Sequence, residues 1–298
     1  MNEQSLEFQW YVHDAGYRWI DAESGDTKPE PGSYLTDGRP LGGAGFKARR
    51  YNPLALYSGL FLVFSDVEPI PASVERFANK YGMLGGDGRK LITLPEHTTE
   101  KGTLMGSGER LGYWHDEILS MRQAVSVWQM ARKGDVEGLS PFIEWDDRSV
   151  RYNSHPELAA GERPEVPYYQ TLSIIANEEL NPERLDRFRP RDVIEPALYY
   201  VQQVVNNRLK GRISPRILWT EDGSRLRLFL VPASLAGALW LQLARAIEND
   251  SDFRACDECR IWFEVAPGRG RTDKTYCTDA CRNRAYRRRK AARAGQNA

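Results

Sequence analysis

The chain has 298 residues, with 41 Lys and Arg against 41 Asp and Glu, 41% hydrophobic residues and 11% aromatic residues. That is enough apolar material for a substantial core without a disulfide framework, and it excludes wholesale intrinsic disorder. The first ten residues lack an apolar signal core, and the longest apolar stretch, residues 53–64, is broken by Ser58 and Gly59 and is too short for a bilayer. Composition therefore predicts a soluble cytoplasmic chain with no membrane partner.

Taken in order, residues 6–13 and 17–20 carry aromatic and β-branched side chains around a turn at 14–16, which predicts a hairpin. Residues 22–52 are rich in Gly, Pro and charge and read as loop. Asn52 caps a helix with Pro53 at its first position and apolar residues at Leu54, Tyr57, Leu60, Phe61 and Phe64. A short helix over 73–81 stops at Gly82. Residues 82–108 are glycine-rich with little periodicity and read as a long, mobile loop. Trp114, Ile118, Met121, Val125 and Trp128 mark the clearest helix, ended by Gly134. A second long helix spans 193–209. Segments 216–220 and 225–231 flank Glu221-Asp222-Gly223-Ser224, a hairpin signal, and Ser234 caps a helix along Leu235, Leu239, Leu243 and Ile247. The fold class expected is mixed α+β with helices dominant.

This region shows little chemistry. The glycines before Arg89-Lys90 lack the Lys-Ser/Thr pair of a P-loop, and residues 106–108 fall one residue short of a nucleophile elbow. His115-Asp116-Glu117 lacks the second histidine of a zinc-protease helix. No catalytic residue is assigned, and an enzyme with a site under the glycine-rich loop is the weakest of three functional readings.

The neutral total hides an asymmetry. Residues 251–298 hold twelve Lys and Arg against six acids, a net +6, so the first 250 residues carry −6. All four cysteines also lie in this tail, which places a domain boundary near residue 250, with an acidic domain at 1–250 and a basic one at 251–298. Cys256 and Cys259 form a C-x2-C knuckle. Cys277 and Cys281 lie one helical turn apart, with Thr278 as cap and Asp279 in the first turn. Four thiolates at one point suit tetrahedral Zn2+ in a closed structural site, laid out as a treble clef; the alternative is buried free thiols or a redox pair. So short a tail buries little apolar area, so the metal would supply most of its folding free energy. Trp262 and Phe263 are the apolar plug, and strand alternation turns one ring inward and the other out.

On the helix that follows, Cys281, Ala285, Arg288 and Ala292 form the stripe facing the knuckle. Arg282, Tyr286, Arg289 and Arg293 form another stripe, flanked by Lys290, with Arg284 and Arg287 on a further side. Between residues 282 and 298 there are seven positive charges and no acid, a self-repulsion that phosphates would relieve. Arg269, Arg271 and Lys274 extend this surface. Nucleic acid is the expected partner, held by Arg282, Tyr286, Arg289, Lys290 and Arg293 with help from Arg284, Arg287 and Arg288. The competing reading is a protein-interaction adaptor whose finger docks a partner or the acidic domain. Homo-oligomerisation is left open.

The run Cys256-Asp257-Glu258-Cys259, Phe263, and then Tyr276-Cys277-Thr278-Asp279-Ala280-Cys281-Arg282-Asn283-Arg284-Ala285-Tyr286-Arg287-Arg288-Arg289 resembles the CGNR-type zinc finger of bacterial proteins. In that family the finger often follows an amino-terminal domain called ABATE. The family's Cys-Gly-Asn-Arg motif reads Cys281-Arg282-Asn283-Arg284 here, with arginine in place of glycine, which leaves the metal ligands intact. The resemblance covers about the last 45 residues, with a fainter likeness at residues 77–82. It implies a stress-linked transcription regulator whose finger binds DNA.

Overall fold

The computed structural model describes residues 8–20, 33–42, 47–100, 102–156, 172–220, 222–265 and 274–296. The fold is mixed α+β. Strands β1 (Trp10–His13), β2 (Arg18–Ile20), β3 (Tyr34–Thr36) and β4 (Ala48–Tyr51) come first. The expected hairpin between the first two does not form: β1 pairs with β4, and β2 with β3. The turn at Gly16 is present, but Tyr17 N–H donates to the Asn79 side chain at 2.8 Å, so a helix occupies the place where the returning strand would pair. Residues 22–52, read as loop, thus contain two of these strands, while 21–32 and 43–46 lie outside the described residues.

Helices α1 (Pro53–Leu56), α2 (Leu60–Ser65) and α3 (Pro71–Tyr81) follow. Asn52 Oδ1 accepts from the N–H groups of Leu54 and Ala55, as a cap should. The single helix expected from 53 to 64 is split at residues 57–59. Gln242 repairs the break, its amide reaching the carbonyls of Pro53 and Tyr57 at 3.0 and 2.7 Å and the Phe61 N–H at 3.2 Å.

Strands β5 (Arg89–Thr99) and β6 (Gly102–Arg110) replace the expected loop with a long antiparallel hairpin, and β6 joins it to β3 in a four-stranded sheet. Glycine disguised the pattern for a steric reason. A Cβ at Gly106 would lie 2.7 Å from Leu94, and one at Gly108 would lie 2.8 Å from Ile92, so the glycines make room for the buried residues of the facing strand.

Helix α4 (Leu111–Arg132) is the spine of the core, and Trp114, Ile118, Met121, Val125 and Trp128 are all buried on it. The short α5 (Val136–Leu139) precedes a three-stranded sheet of β7 (Ile143–Trp145), β8 (Ser149–Asn153) and β9 (Leu172–Asn177). After α6 (Pro182–Leu185) come α7 (Ile194–Leu209), the hairpin β10 (Ile213–Trp219) and β11 (Leu226–Pro232), and α8 (Leu235–Glu248). Ser234 Oγ caps α8 by accepting from Gly237 N–H. Inside this bundle Glu117 is fully buried, bonded by Arg208 at 2.8 Å, Arg212 at 2.7 Å and the Trp240 indole at 2.8 Å. Burial opposes its ionisation, but the two guanidinium groups and the indole outweigh that and hold its carboxyl below the usual range.

The chain ends with β12 (Asp252–Ala255), β13 (Trp262–Val265) and α9 (Asp279–Gln296). Hairpin β12–β13 is fastened to the helices. Arg132 pairs with Asp250 and Asp252 and donates to the carbonyls of Asp250 and Ser251. Phe253 meets Phe61 edge-on, with centroids 5.3 Å apart. Trp262 presses so closely on Gly59 that a Cβ there would lie 2.6 Å from the Trp262 Cβ.

Candidate metal centre and basic helix

The β12–β13 hairpin carries the first cysteine pair on its connecting turn, and the start of α9 carries the second. In the turn, Arg260 N–H bonds to the Cys256 carbonyl at 2.8 Å and Cys256 N–H to Ile261 O at 3.0 Å, which curls both sulfurs toward one point. Arg260 adopts a left-handed backbone at φ 59, a conformation that costs a side-chain-bearing residue about 1–2 kcal/mol. Thr278 caps the helix, its hydroxyl accepting from Cys281 N–H at 3.2 Å.

The four ligand sulfurs all lie within 4.8 Å of one another. Cys259 and Cys277 are 3.5 Å apart, and Cys277 and Cys281 are 3.6 Å apart. These separations are far beyond a disulfide bond, about 2.05 Å. They match the edge of a tetrahedron whose corners sit about 2.3 Å from a central ion, about 3.8 Å. Cys256 and Cys281 are buried, the other two half-buried.

The protein prepares this cluster for anionic sulfur. Burial disfavours the Cys256 thiolate, yet the N–H groups of Cys259, Cys277 and Glu258 outweigh it and hold the thiol below its ordinary value. The Cys277 N–H lies 3.4 Å from that sulfur. Cys281 is lowered by the Thr278 hydroxyl and by Arg284, whose Nη2 donates to the sulfur at 3.0 Å. Burial and neighbouring sulfurs push Cys277 up, and burial pushes Cys259 up. Four unbridged sulfurs converging within 4.8 Å, with an arginine and a backbone N–H aimed at two of them, fit a bound metal ion.

Phe263 turns inward against the cysteines, with Lys274 over its ring at 5.2 Å, while Trp262 turns outward onto Gly59. On α9, Cys281 and Ala285 are buried, and Arg288 pairs with Glu258 of the knuckle at 2.8 Å. Arg282, Arg284, Tyr286, Arg287, Arg288, Arg289 and Lys290 are exposed. Arg282 pairs with Asp279 one turn earlier at 3.2 Å. Among the described residues, Arg287, Arg289 and Lys290 make no ion pair. Arg293 belongs to α9 but its side chain lies outside the description, as do Ala292 and the loop residues Arg269 and Arg271. Two roles escaped the sequence reading: Arg284 as donor to a ligand sulfur, and Glu258 as anchor for Arg288. The i,i+3 spacing from Cys281 carried the first signal; the second needed the folded knuckle.

Comparison with protein-family models, with curated proteins and with solved structures returns no match. Among the described residues no helix is long and apolar enough to cross a membrane.

Proposed function

We propose that Zn2+ occupies the four-cysteine site, that the tail is a treble-clef finger of the CGNR type, and that the chain is a DNA-binding transcription regulator. Soft thiolates select Zn2+ among common ions, and the short sulfur–sulfur distances suit one ion better than a multi-iron cluster. Cys256, Cys259, Cys277 and Cys281 would hold it. The ion supplies folding free energy and no open coordination position, so the centre is structural. Four thiolates around a dication leave a net −2, which the Arg284 guanidinium and the Cys277 N–H lie placed to offset.

The observation that carries the nucleic-acid reading is the exposed, uncompensated cation row on α9. Of the seven candidate contacts with described side chains, Arg282, Arg284 and Arg288 are engaged within the finger, and Arg287, Arg289, Lys290 and Tyr286 face solvent. The first three offer charge to phosphates, and the Tyr286 ring offers a stacking surface. The Trp262 and Arg132 contacts seat the β12–β13 hairpin, which carries the first cysteine pair, on the helical core. With Arg287, Arg289, Lys290 and Arg293 among about five phosphate contacts, log affinity for duplex DNA falls with log salt at a slope of about −4.5. A flat salt curve, or no binding, would contradict it.

The seating of β12–β13 on the helices favours a second reading, an adaptor whose finger is built for protein contact. In that case captured partners persist after nuclease treatment, and charge removal on α9 alters protein capture rather than DNA retention.

A further inference from the structure

Hairpin β10–β11 forms a two-stranded sheet of its own. Its register sets Pro215 opposite Leu230, Ile217 opposite Leu228, and Trp219 opposite Leu226. Successive strand residues alternate faces, so these three rungs share one face. The other face carries Arg216 opposite Phe229 and Leu218 opposite Arg227, and there Phe229 is buried. The inward side of the hairpin is therefore the mixed one, and the wholly apolar side looks out. Ile217, Trp219, Leu226, Leu228 and Leu230 are between 43% and 63% exposed, and Pro215 is exposed beside them. An isolated two-stranded hairpin is marginal in water, and a contiguous apolar face of this extent marks an interaction surface.

We infer that this face pairs with the same face of a second copy of the chain, about a two-fold axis lying along the Ile217–Leu228 rung. No charge lies within the three rungs, so the surface recognises shape and apolarity. Its steric order is self-complementary. The axis sets bulky Trp219 of each copy over slim Pro215 of the other, Leu226 over Leu230, and Ile217 over its own equivalent. The ends agree in charge. Asp222 sits at the tip, its carboxylate held ionised by the Thr220 and Ser224 hydroxyls and the Ser224 N–H, and Lys210 is exposed at the base. The same axis brings the tip of each copy to the base of the other. Five such side chains offer on the order of 600 Å² per copy, so the pair reaches about 1,200 Å², the lower edge of specific interfaces. The inference is independent of the metal and of nucleic acid.

Sedimentation of the full-length chain without nucleic acid, from about 1 to about 100 µM, tests it. The wild type sediments as a dimer in the upper part of that range. Ile217→Glu and Ile217→Lys each raise the dimer Kd by about 100-fold or more, because a like charge then meets itself on the axis. Mixed in equal amounts, the two variants associate again, to within about tenfold of the wild type. Lys210→Glu, at an exposed position outside the hairpin, raises Kd several-fold. A wild type that stays monomeric, a variant that still dimerises alone, a mixture that stays apart, or a Lys210→Glu chain that associates as well as the wild type would each overturn the inference.

Discussion

The helical core and the carboxyl-terminal finger both enclose groups that carry charge, and they compensate it differently. Around Glu117 the protein supplies the whole answer: two guanidinium groups face two carboxylates, buried Glu117 and part-buried Asp116, and the Trp240 indole N–H adds a further bond to Glu117. Around the cysteines it supplies only part: one arginine, a threonine hydroxyl and a few backbone N–H groups face four thiols that lie within 4.8 Å of one another. A buried cluster that is electrically complete is architecture. One in which four thiols converge with so few donors around them is compatible with a bound metal ion, and that difference separates the two regions more sharply than composition does.

The largest test of the contrast removes a sulfur. Cys277→Ser, or a strong chelator, abolishes metal binding and unfolds α9 and the knuckle, since a structural Zn2+ contributes about 10–16 kcal/mol of apparent binding free energy. Hydrogen exchange should then show lost protection over residues 252–296 with α4 and α8 still protected.

Breaking the other cluster gives the opposite result. Arg208→Met leaves Glu117 undercompensated and lowers global stability by about 3–5 kcal/mol in chemical denaturation, with one metal per chain retained. It also changes the acid limb. Because the Glu117 pKa is depressed in the folded state, its contribution is complete above the unfolded value of 4.5 and is lost as pH falls through the lower folded value. The variant loses less stability over that fall than the wild type does. If the two chains show the same acid dependence, Glu117 is not compensated in this way.

Within the finger, charge and architecture separate again. Replacing Arg287, Arg289 and Lys290 by Ala removes about three phosphate contacts and flattens the salt slope by about 2.7, with metal content unchanged. Arg284→Ala acts through the sulfur it touches and weakens metal affinity by about 10–100-fold in a chelator competition. The smallest effect is stabilising. Arg260→Gly relieves the left-handed backbone and raises the finger's stability by about 1 kcal/mol, measurable as slower metal loss.

How much of this was legible in the sequence followed from the range of the forces. Helix α4 was read correctly because its apolar period is local, and the β10–β11 hairpin because its turn residues announce it. The cysteine cluster was legible because metal-ligand spacing is a local code, and the Cys281–Ala285–Arg288 face followed from helical period alone. Three readings failed where a distant residue decides. Asn79 holds the donor at Tyr17, so β1 and β2 find other partners. Trp262 packs onto Gly59 and Gln242 bonds the backbone groups freed at residues 53–61, so the helix ends at Leu56 and restarts at Leu60. Leu94 and Ile92 require the glycines that made β5–β6 look like loop. The outward apolar face of β10–β11 was hidden for a different reason: both faces contain Leu, and only burial separates them.

The account rests on one ion at four sulfurs. Elemental analysis of the purified full-length chain, with Cys277→Ser beside it, tests this most directly. One zinc per chain in the wild type and none in the variant is the expected result. A metal-free wild type, or a variant that keeps its full complement, would contradict it.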